Sequence, residues 1–223
     1  MDKFAVLTGG SGRAGPFLKD QLENMGYDVA VLDLPDFDVS DRNSVLEFKY
    51  KLKRTPSVLV NNAAIDNPPG TKATFFGSLE RILQVNLMGP CYMSEAIIPM
   101  MVEAGGGVIV NIGSIMGNIG ADWKNYPEGF EKPVAYNLSK AGLIQLSRSI
   151  TTQYGRFNVR SVTIAFGPLD IGLPQSFKDK FLKNVPLGRA MSEESWRSAL
   201  RFAVECPELA GQQVLVDGGY TSF

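Results

Sequence analysis

The chain has 223 residues, with 22 basic and 23 acidic side chains and a formal net charge of −1. This balance predicts no basic surface for nucleic acid or an anionic membrane, and 44% hydrophobic residues exclude a disordered chain. The sequence contains no histidine, which excludes Ser-His-Asp hydrolysis and histidine-based zinc sites. We therefore expect no metal, and any acid/base chemistry must use Tyr, Lys, Asp, Glu or Cys.

The length is that of one domain, which we expect to span residues 1–223. Cys91 and Cys206 lie far apart among apolar neighbours, so we expect buried thiols, as in a reducing cytoplasm, and no disulfide. The N-terminus has no signal-peptide pattern, and no apolar run approaches the length of a membrane span. These features predict a cytoplasmic protein that does not enter a membrane.

Short apolar runs alternate with longer amphipathic runs along the whole chain. The predicted strands are Phe4–Leu7, Val29–Leu32, Val58–Val60, Val108–Ile112, Val159–Ile164 and Val214–Val216. The predicted helices are Phe17–Met25, Ser44–Leu52, Leu79–Met101, Val134–Tyr154 and Glu193–Val204. Such alternation indicates an α/β fold, in which helices cover both faces of a parallel sheet.

One connection in this pattern is unusually short. Only four residues, Leu34 to Phe37, separate Asp33 from Asp38, which is too few for a crossover helix. If residues 37–39 form the next strand, the helix normally expected before it is missing. One flank of the sheet is then barer than usual.

A glycine-rich turn follows the first strand and leads into a helix. It reads Thr-Gly-Gly-Ser-Gly-Arg-Ala-Gly over residues 8–15. Glycines let the backbone approach a pyrophosphate, and a helix N-terminus favours the negative charge. Asp33 ends the second strand 18 residues after Gly15 (33 − 15), where a carboxylate can bind a ribose and repel a 2′-phosphate. The combination indicates NAD, although such a turn also occurs simply as a tight strand–helix connection.

Tyr136 and Lys140 stand four residues apart at the start of a predicted helix. Four residues are about one helical turn, so the phenol and the ammonium share a face. Free tyrosine has a pKa of about 10, and a nearby cation lowers it. The pair is therefore suited to exchange a proton with a hydroxyl or a carbonyl. The same spacing also occurs by chance on many solvated helices.

With these residues assembled, the chain resembles the short-chain dehydrogenase/reductase family over nearly its whole length. The family landmarks occur in order: the Thr-Gly loop at 8–15, Asp38-Val39, Asn61-Asn62-Ala63-Ala64, Asn86, Ser114, Tyr136 with Lys140, and Asp217-Gly218-Gly219. The ordered set is highly specific, although its single members are not. The resemblance implies a Rossmann-type doubly wound parallel sheet.

The resemblance also implies roles for the matching positions. Tyr136 would be the general acid/base, and Lys140 would lower its pKa and hold the nicotinamide ribose. Ser114 would bind the substrate oxygen, and Asn86 would hold a water in a proton relay; for both, the alternative is a capping or core polar residue. Cofactor contacts are implied for Gly9, Ser11, Gly12, Arg13, Ala14, Gly15, Asp33, Asp38, Val39, Asn62, Ala63, Ala64, Tyr136, Lys140, Gly167 and Pro168, whereas a structural role for Asn61 and Asn62 is equally open.

Three departures from the family pattern bear on the cofactor and the substrate. Arg13 replaces a loop glycine and can contact a phosphate, which keeps NADP open while Asp33 favours NAD. Ser114 and Tyr136 are 22 residues apart (136 − 114), and the extra stretch 121–130 suits either a sugar ring or a surface or subunit contact. A similar insertion and C-terminus occur in relatives that act in bacterial surface-sugar and flagellin-modification pathways. Phe166-Gly167-Pro168 replaces the usual Pro-Gly, and residues 169–190 would form a substrate lid.

The resemblance thus implies an oxidoreductase that transfers a hydride between a nicotinamide cofactor and a secondary alcohol or ketone, of a sugar or sugar derivative. It further implies a homo-oligomer, either dimer or tetramer. Two alternatives stay open. One is a family member that keeps the fold as a non-catalytic binding or scaffold protein, and the other is an epimerase or dehydratase with tightly bound NAD.

Overall fold

A computed structural model describes residues 3–66, 74–169 and 174–222. Six parallel strands form one sheet in the order β2-β1-β3-β4-β5-β6. They are β1 (Phe4–Thr8), β2 (Asp28–Leu32), β3 (Val58–Asn61), β4 (Gly107–Ser114), β5 (Val159–Phe166) and β6 (Gln213–Val216). This arrangement confirms the predicted doubly wound α/β fold.

Helices cover both faces of the sheet. They are α1 (Gly15–Asn24), α2 (Arg42–Lys51), α3 (Leu79–Leu83), α4 (Gly89–Glu103), α5 (Val134–Tyr154), α6 (Gln175–Phe181) and α7 (Glu193–Glu205). Helices α1 and α7 contribute to the hydrophobic core on one face, while α2, α4 and α5 contribute to the core on the other.

Strand β1 shows why the apolar runs of this chain do not alternate with polar residues. Ala5 and Leu7 belong to the core beneath α1 and α7, whereas Phe4 and Val6 belong to the opposite core. Because successive side chains of a strand point to opposite faces, a strand covered on both sides must be apolar throughout. Full burial of a side chain the size of Leu7 contributes about 1.5–3 kcal/mol.

The flank beyond β2 is bare, as the short connection predicted. The described residues between Leu32 and Arg42 contain no helix, and β2 is the edge of the sheet. The suggested strand at residues 37–39 is wrong, because these residues pair with no strand. Phe37 packs edge-to-face on Phe48 of α2 at 5.6 Å, and Val39 is buried against Gly89 of α4. Burial against two helices replaces the sheet pairing.

The predicted single helix Leu79–Met101 is also wrong in its interior. Helices α3 and α4 are separated by a π-helical turn, Gln84–Met88, in which the Gly89 amide donates to the Gln84 carbonyl. Pro90 has no amide hydrogen and cannot donate the α-helical bond to Asn86, which favours a break at this point. Asn86 therefore lies in a widened turn.

Two expectations on cysteine and on membranes can be compared with the structure. Cys91 and Cys206 are free thiols, but both are half-buried, so full burial was wrong. Within residues 3–66, 74–169 and 174–222, no helix is both long enough and apolar enough to cross a membrane. In the same residues no group of three or more acidic or thiol side chains is arranged to hold a metal.

Candidate active site

The candidate site lies at the carboxyl edge of the sheet, where the strand order reverses. The chain leaves β1 to form β2 on one side and then forms β3 on the other side of β1. In doubly wound folds this switch point is the usual ligand crevice. The predicted residues meet along this edge: Gly9–Gly15 follow β1, Asp33 follows β2, Asn62–Ala64 follow β3, Ser114 ends β4, Gly167 and Pro168 follow β5, and Tyr136 and Lys140 lie in the first turns of α5.

The glycine-rich turn is compact and ends at a helix without a capping side chain. The Gly12 amide donates to Gly9 at 3.2 Å, and the Gly15 amide donates to Gly12 at 3.1 Å. A side chain at Gly9, where φ is +67°, would come within 2.6 Å of the Ala63 backbone. Ala14 precedes α1 and makes no side-chain cap, so the first amides of the helix suit an anion such as a pyrophosphate.

Asp33 is held beside this turn by two backbone amides. Its Oδ2 accepts from the Ser11 amide at 2.7 Å, and its Oδ1 accepts from the Leu34 amide at 2.9 Å. Each oxygen keeps lone-pair capacity for a ribose hydroxyl. A cleft of about 380 Å³ borders Asp33 on the bare flank and reaches Phe37 and Phe48. The residues here fit the adenosine end of a dinucleotide.

Asp38 and Val39, predicted to border the adenine, have structural partners. Asp38 accepts hydrogen bonds from the amide and hydroxyl of Ser40 at 2.9 and 2.6 Å and faces Arg81 at 3.5 Å. Burial raises the pKa of Asp38, but the Ser40 hydrogen bonds and the Arg81 charge outweigh burial and lower it. An adenine contact of either residue stays a prediction.

The residues after β3 join the glycine-rich turn to the sheet. Thr8 Oγ1 accepts from the Asn62 and Ala63 amides at 3.1 and 3.2 Å, and Asn62 Nδ2 donates to the Gly9 carbonyl at 2.6 Å. Asn61 is buried and donates to Asn111 of β4 at 2.8 Å. Asn61 and Asn62 therefore have a structural role, while cofactor contacts of Asn62, Ala63 and the exposed Ala64 stay predictions.

Asn86 is buried in the π-helical turn, and both hydrogens of its side-chain amide are engaged. Its Oδ1 accepts from the Ile65 amide at 2.7 Å, while Nδ2 donates to the Ile65 carbonyl at 2.8 Å and to Ser139 Oγ at 3.3 Å. The side chain thus ties the loop after β3 to α5. A relay water would have to bind the backbone or the remaining lone pair of Oδ1.

The catalytic candidates converge at the start of α5. Lys140 is buried, its Nζ donates to the Ile112 carbonyl at 2.8 Å, and it lies 5.6 Å from the ring centroid of Tyr136. Ser114 ends β4 and accepts from the Met116 amide at 3.2 Å, and its side chain lies close enough to Tyr136 to lower the pKa of the phenol. The predicted shared face of Tyr136 and Lys140 is present.

The electrostatics of this pair differ from the expectation. Burial and then the Asp66 charge raise the pKa of Tyr136 to about 12, against smaller opposing effects of the Ser114 hydrogen bond and the Arg13 charge. Burial lowers the pKa of Lys140 to about 8. The predicted lowering of the Tyr136 pKa by Lys140 is therefore wrong, because burial disfavours the charged form of both groups. At neutral pH the phenol keeps its proton.

Two further charged residues lie against Tyr136 and escaped the sequence reasoning. Lys132 Nζ lies 4.3 Å from the Tyr136 ring centroid, closer than Lys140, and forms an ion pair with Asp66. The sequence feature that could have pointed to Lys132 is its position four residues before Tyr136 (136 − 132). Asp66 lies two residues after the Ala63-Ala64 landmark (66 − 64), but no local pattern joins it to Lys132.

The inserted stretch 121–130 packs on the C-terminal part of the chain through stacked aromatic rings. Tyr126 stacks on Phe130 at 4.9 Å and packs on Phe177 of α6 at 5.4 Å. Phe177 stacks on Phe181 at 5.6 Å, and Phe181 stacks on Tyr220 at 4.3 Å. We call these five rings the aromatic stack. Phe177 and Phe181 thus pack within the protein.

The segment after β5 is tied to the C-terminus. The Gly167 amide donates to the Val216 carbonyl at 2.9 Å, and the Met191 amide donates to the Pro168 carbonyl at 3.0 Å. These bonds place Gly167 and Pro168 at the same edge as Ser114, while their contact with a cofactor stays a prediction. Of the predicted lid, residues 170–173 lie outside the described residues.

Comparisons with known proteins cover almost the whole chain. A family model described as enoyl-(acyl carrier protein) reductase matches residues 18–221. Carbonyl reductase family member 4 of Xenopus tropicalis is 30% identical over 243 residues, covering 98% of each chain. A short-chain dehydrogenase of Leptospira borgpetersenii with bound NAD+ has a TM-score of 0.88 at 24% identity, covering 99% of this chain and 93% of that one. A gluconate 5-dehydrogenase of Burkholderia cenocepacia in complex with NADP and tartrate has a TM-score of 0.82 at 22% identity, covering 100% and 97%.

Proposed function

This chain belongs to the short-chain dehydrogenase/reductase family of oxidoreductases, and on that premise we propose that it transfers a hydride between NAD and a secondary alcohol or ketone. The observation that carries the proposal is the convergence of Tyr136, Lys140 and Ser114 at the carboxyl edge, beside the glycine-rich turn. The nicotinamide supplies the hydride chemistry. The residues of the chain bind and orient the substrate and the cofactor, and they move a proton.

Tyr136 is the proton donor and acceptor in this proposal. During reduction its phenol gives a proton to the carbonyl oxygen, while the Ser114 hydroxyl donates a hydrogen bond to the same oxygen. A pKa raised to about 12 keeps the phenol protonated at neutral pH, as the donation of this proton requires. Lys140 would hold the nicotinamide ribose.

The preference for NAD over NADP rests on Asp33. Its carboxylate stands at the end of β2 beside the amide of Ser11, where it would accept hydrogen bonds from the adenosine ribose. The same negative charge would repel a 2′-phosphate. Arg13, which is exposed on the glycine-rich turn, favours NADP instead, because a guanidinium there suits a phosphate.

We propose that the substrate is a sugar or sugar derivative, because polar groups surround Tyr136. Tyr126 of the insertion, Asp66 and Lys132 bring a phenol, a carboxylate and an ammonium to this region. Such groups suit an oxygen-rich substrate better than a hydrocarbon chain. In this proposal residues 169–190 form the lid over the substrate.

Assembly and location complete the proposal. Leu138 on α5 is 51% exposed and Met88 in the π-helical turn is 36% exposed, which supports burial of this surface against a second copy. We propose a homo-oligomer, dimer or tetramer, working in the cytoplasm. Size measurement by light scattering tests the assembly.

The test of the function is turnover of keto-sugars and polyols, followed at the nicotinamide absorbance band. Tyr136→Phe should lower turnover by about 10²–10⁴-fold, because general acid/base catalysis contributes that much. NADH binding, followed by fluorescence, should stay near the wild-type value. The matched control Tyr50→Phe alters a tyrosine that is 84% exposed and should leave turnover unchanged.

Three outcomes would contradict the proposal. Full turnover in Tyr136→Phe would remove Tyr136 from the mechanism. No fluorescence response up to millimolar NADH would support a non-catalytic binding or scaffold protein. Protein that purifies with bound NAD and shows no net turnover of added cofactor would indicate an epimerase or dehydratase.

A further inference from the structure

We propose that the Asp66–Lys132 ion pair positions Tyr136. The inference rests on the proposed function, because it concerns the acid/base residue of that reaction. Neither Asp66 nor Lys132 is among the family landmarks of this chain. Both would be positioning residues, which act on the chemistry through Tyr136.

The geometry places the ion pair on the ring itself. Lys132 Nζ is 4.3 Å from the ring centroid of Tyr136, within the range of a cation–π interaction. The Lys132 side chain is only 13% exposed, so its stem packs within the protein while the ammonium faces the ring and the carboxylate. A charge in such a place is stable only with its partner.

The pair also joins two segments that build the site. Asp66 follows β3 directly after Ile65, whose backbone is held by Asn86, and Lys132 lies just before α5. The ion pair therefore fixes the first turn of α5 against the loop after β3. Tyr136 lies in that turn, with the Lys132 ammonium against its ring.

The charged and titratable groups around Tyr136 come from several segments. Lys140 comes from α5 and Lys132 from the residues before it. Asp66 comes from the loop after β3, Arg13 from the glycine-rich turn and Tyr126 from the insertion. Among these groups Asp66 is the carboxylate, and after burial it is the largest contribution that raises the pKa of Tyr136. Within residues 3–66, 74–169 and 174–222, Lys132 is the cation nearest the Tyr136 ring.

This arrangement predicts that both halves of the ion pair are needed to position Tyr136. Asp66→Asn and Lys132→Met each break the pair and should lower turnover by about 10-fold or more, because a small displacement of the acid/base group is costly. Lys132→Arg keeps a cation at the same position and should restore most of the loss. The double variant Asp66→Asn with Lys132→Met should lose little more than either single variant, because the two residues act as one unit.

The experiment measures turnover of a ketone substrate with NADH at neutral pH, where the phenol is protonated. Turnover should fall in Asp66→Asn and in Lys132→Met and should largely recover in Lys132→Arg. The matched control is the exposed pair Arg42–Glu95, with 57% of each side chain exposed. Glu95→Gln, Arg42→Met and their double variant should leave turnover unchanged.

A second measurement does not depend on turnover. The near-ultraviolet circular dichroism of each variant at neutral pH is compared with that of the same variant carrying Tyr136→Phe, so that the difference spectrum reports the environment of Tyr136 alone. The proposal is overturned if this difference spectrum is the same in the wild type, Asp66→Asn and Lys132→Met, or if Lys132→Arg behaves like Lys132→Met. A difference spectrum lost in both broken-pair variants, without turnover in the wild type, would leave the ion pair established and the oxidoreductase proposal refuted.

Discussion

At the scale of single residues, the burial of Lys140 is the largest electrostatic cost of the site. The residue is 4% exposed, and burial lowers the pKa of its ammonium from 10.5 to about 8. This difference corresponds to about 3 kcal/mol of lost stability when the group is charged. The pKa of Lys140 is lower in the folded protein than in the unfolded chain. Its contribution to stability is therefore fully present above pH 10.5 and is lost as the pH falls through 8.

Lys140→Met should therefore change the pH dependence of stability. The free energy of unfolding of the wild type, relative to the variant, should rise by up to about 3 kcal/mol from pH 8 to pH 10.5. The raised pKa of Tyr136 has the opposite effect and lowers stability above pH 10. Tyr136 is present in both proteins, so its effect cancels when the wild type is compared with the variant. Urea unfolding at a series of pH values measures the difference, and parallel curves for the two proteins would refute the buried charge.

Asp33→Ala should relax the choice of cofactor. Loss of the carboxylate removes the ribose contact and the repulsion of a 2′-phosphate, so the ratio of NADP to NAD affinity should rise by about 10-fold or more, which is about 1.4 kcal/mol. Titration calorimetry with both nucleotides measures the ratio. Asp36→Ala, which removes an exposed carboxylate nearby, controls for net charge, and an equal effect of both variants would argue against Asp33.

At the scale of elements, the insertion and α6 depend on each other. Helix α6 has seven residues, too few to be stable alone, and it packs through Phe177 and Phe181 on Tyr126 and Tyr220. Asn125 Nδ2 also donates to the Tyr220 hydroxyl at 3.2 Å. The aromatic stack therefore holds the insertion and α6 as one unit over the carboxyl edge of the sheet.

Phe181→Ala should loosen this unit selectively. Phe181 is 2% exposed, and truncation of a buried phenylalanine costs about 3–5 kcal/mol. Amide hydrogen exchange should speed up in α6 and in residues 121–130 and stay slow in β4 and β5. Phe202→Ala on α7, at a position 50% exposed, is the control. Unchanged exchange in the insertion would show that the stack does not couple the two segments.

At the scale of the whole molecule, the site is assembled from segments that are remote in sequence. The glycine-rich turn, the ends of β2 and β3, Ser114 and the start of α5 meet only because the strands are parallel and their carboxyl ends share one edge. A ligand that bridges these segments binds the folded chain alone. Its binding energy therefore stabilises the whole fold.

Addition of NAD should raise the thermal midpoint of unfolding. At a concentration 100 times the Kd, binding contributes about 2.7 kcal/mol, which for a chain of this size raises the midpoint by about 5–10 °C. NADP at the same concentration should give a smaller rise. Scanning calorimetry measures both, and an unchanged midpoint with millimolar NAD would refute the cofactor site.

Local patterns in the sequence were enough to predict much of this architecture. Helix α5 has the predicted bounds, and the predicted strand bounds fall within two residues of those observed. The missing crossover helix followed from the four residues between Asp33 and Asp38. These features are local, because periodicity and connection length need no knowledge of distant neighbours.

Only the tertiary structure decided the electrostatics and the partners of the site residues. The raised pKa of Tyr136, the hydrogen bonds between Asn86 and Ile65, and the Asp66–Lys132 ion pair all depend on groups brought together by folding. The sequence by itself determined which side chains share a helix face and which follow a strand. Burial and the approach of distant charges then set their protonation, because desolvation depends on everything packed around a group, whatever its distance along the chain.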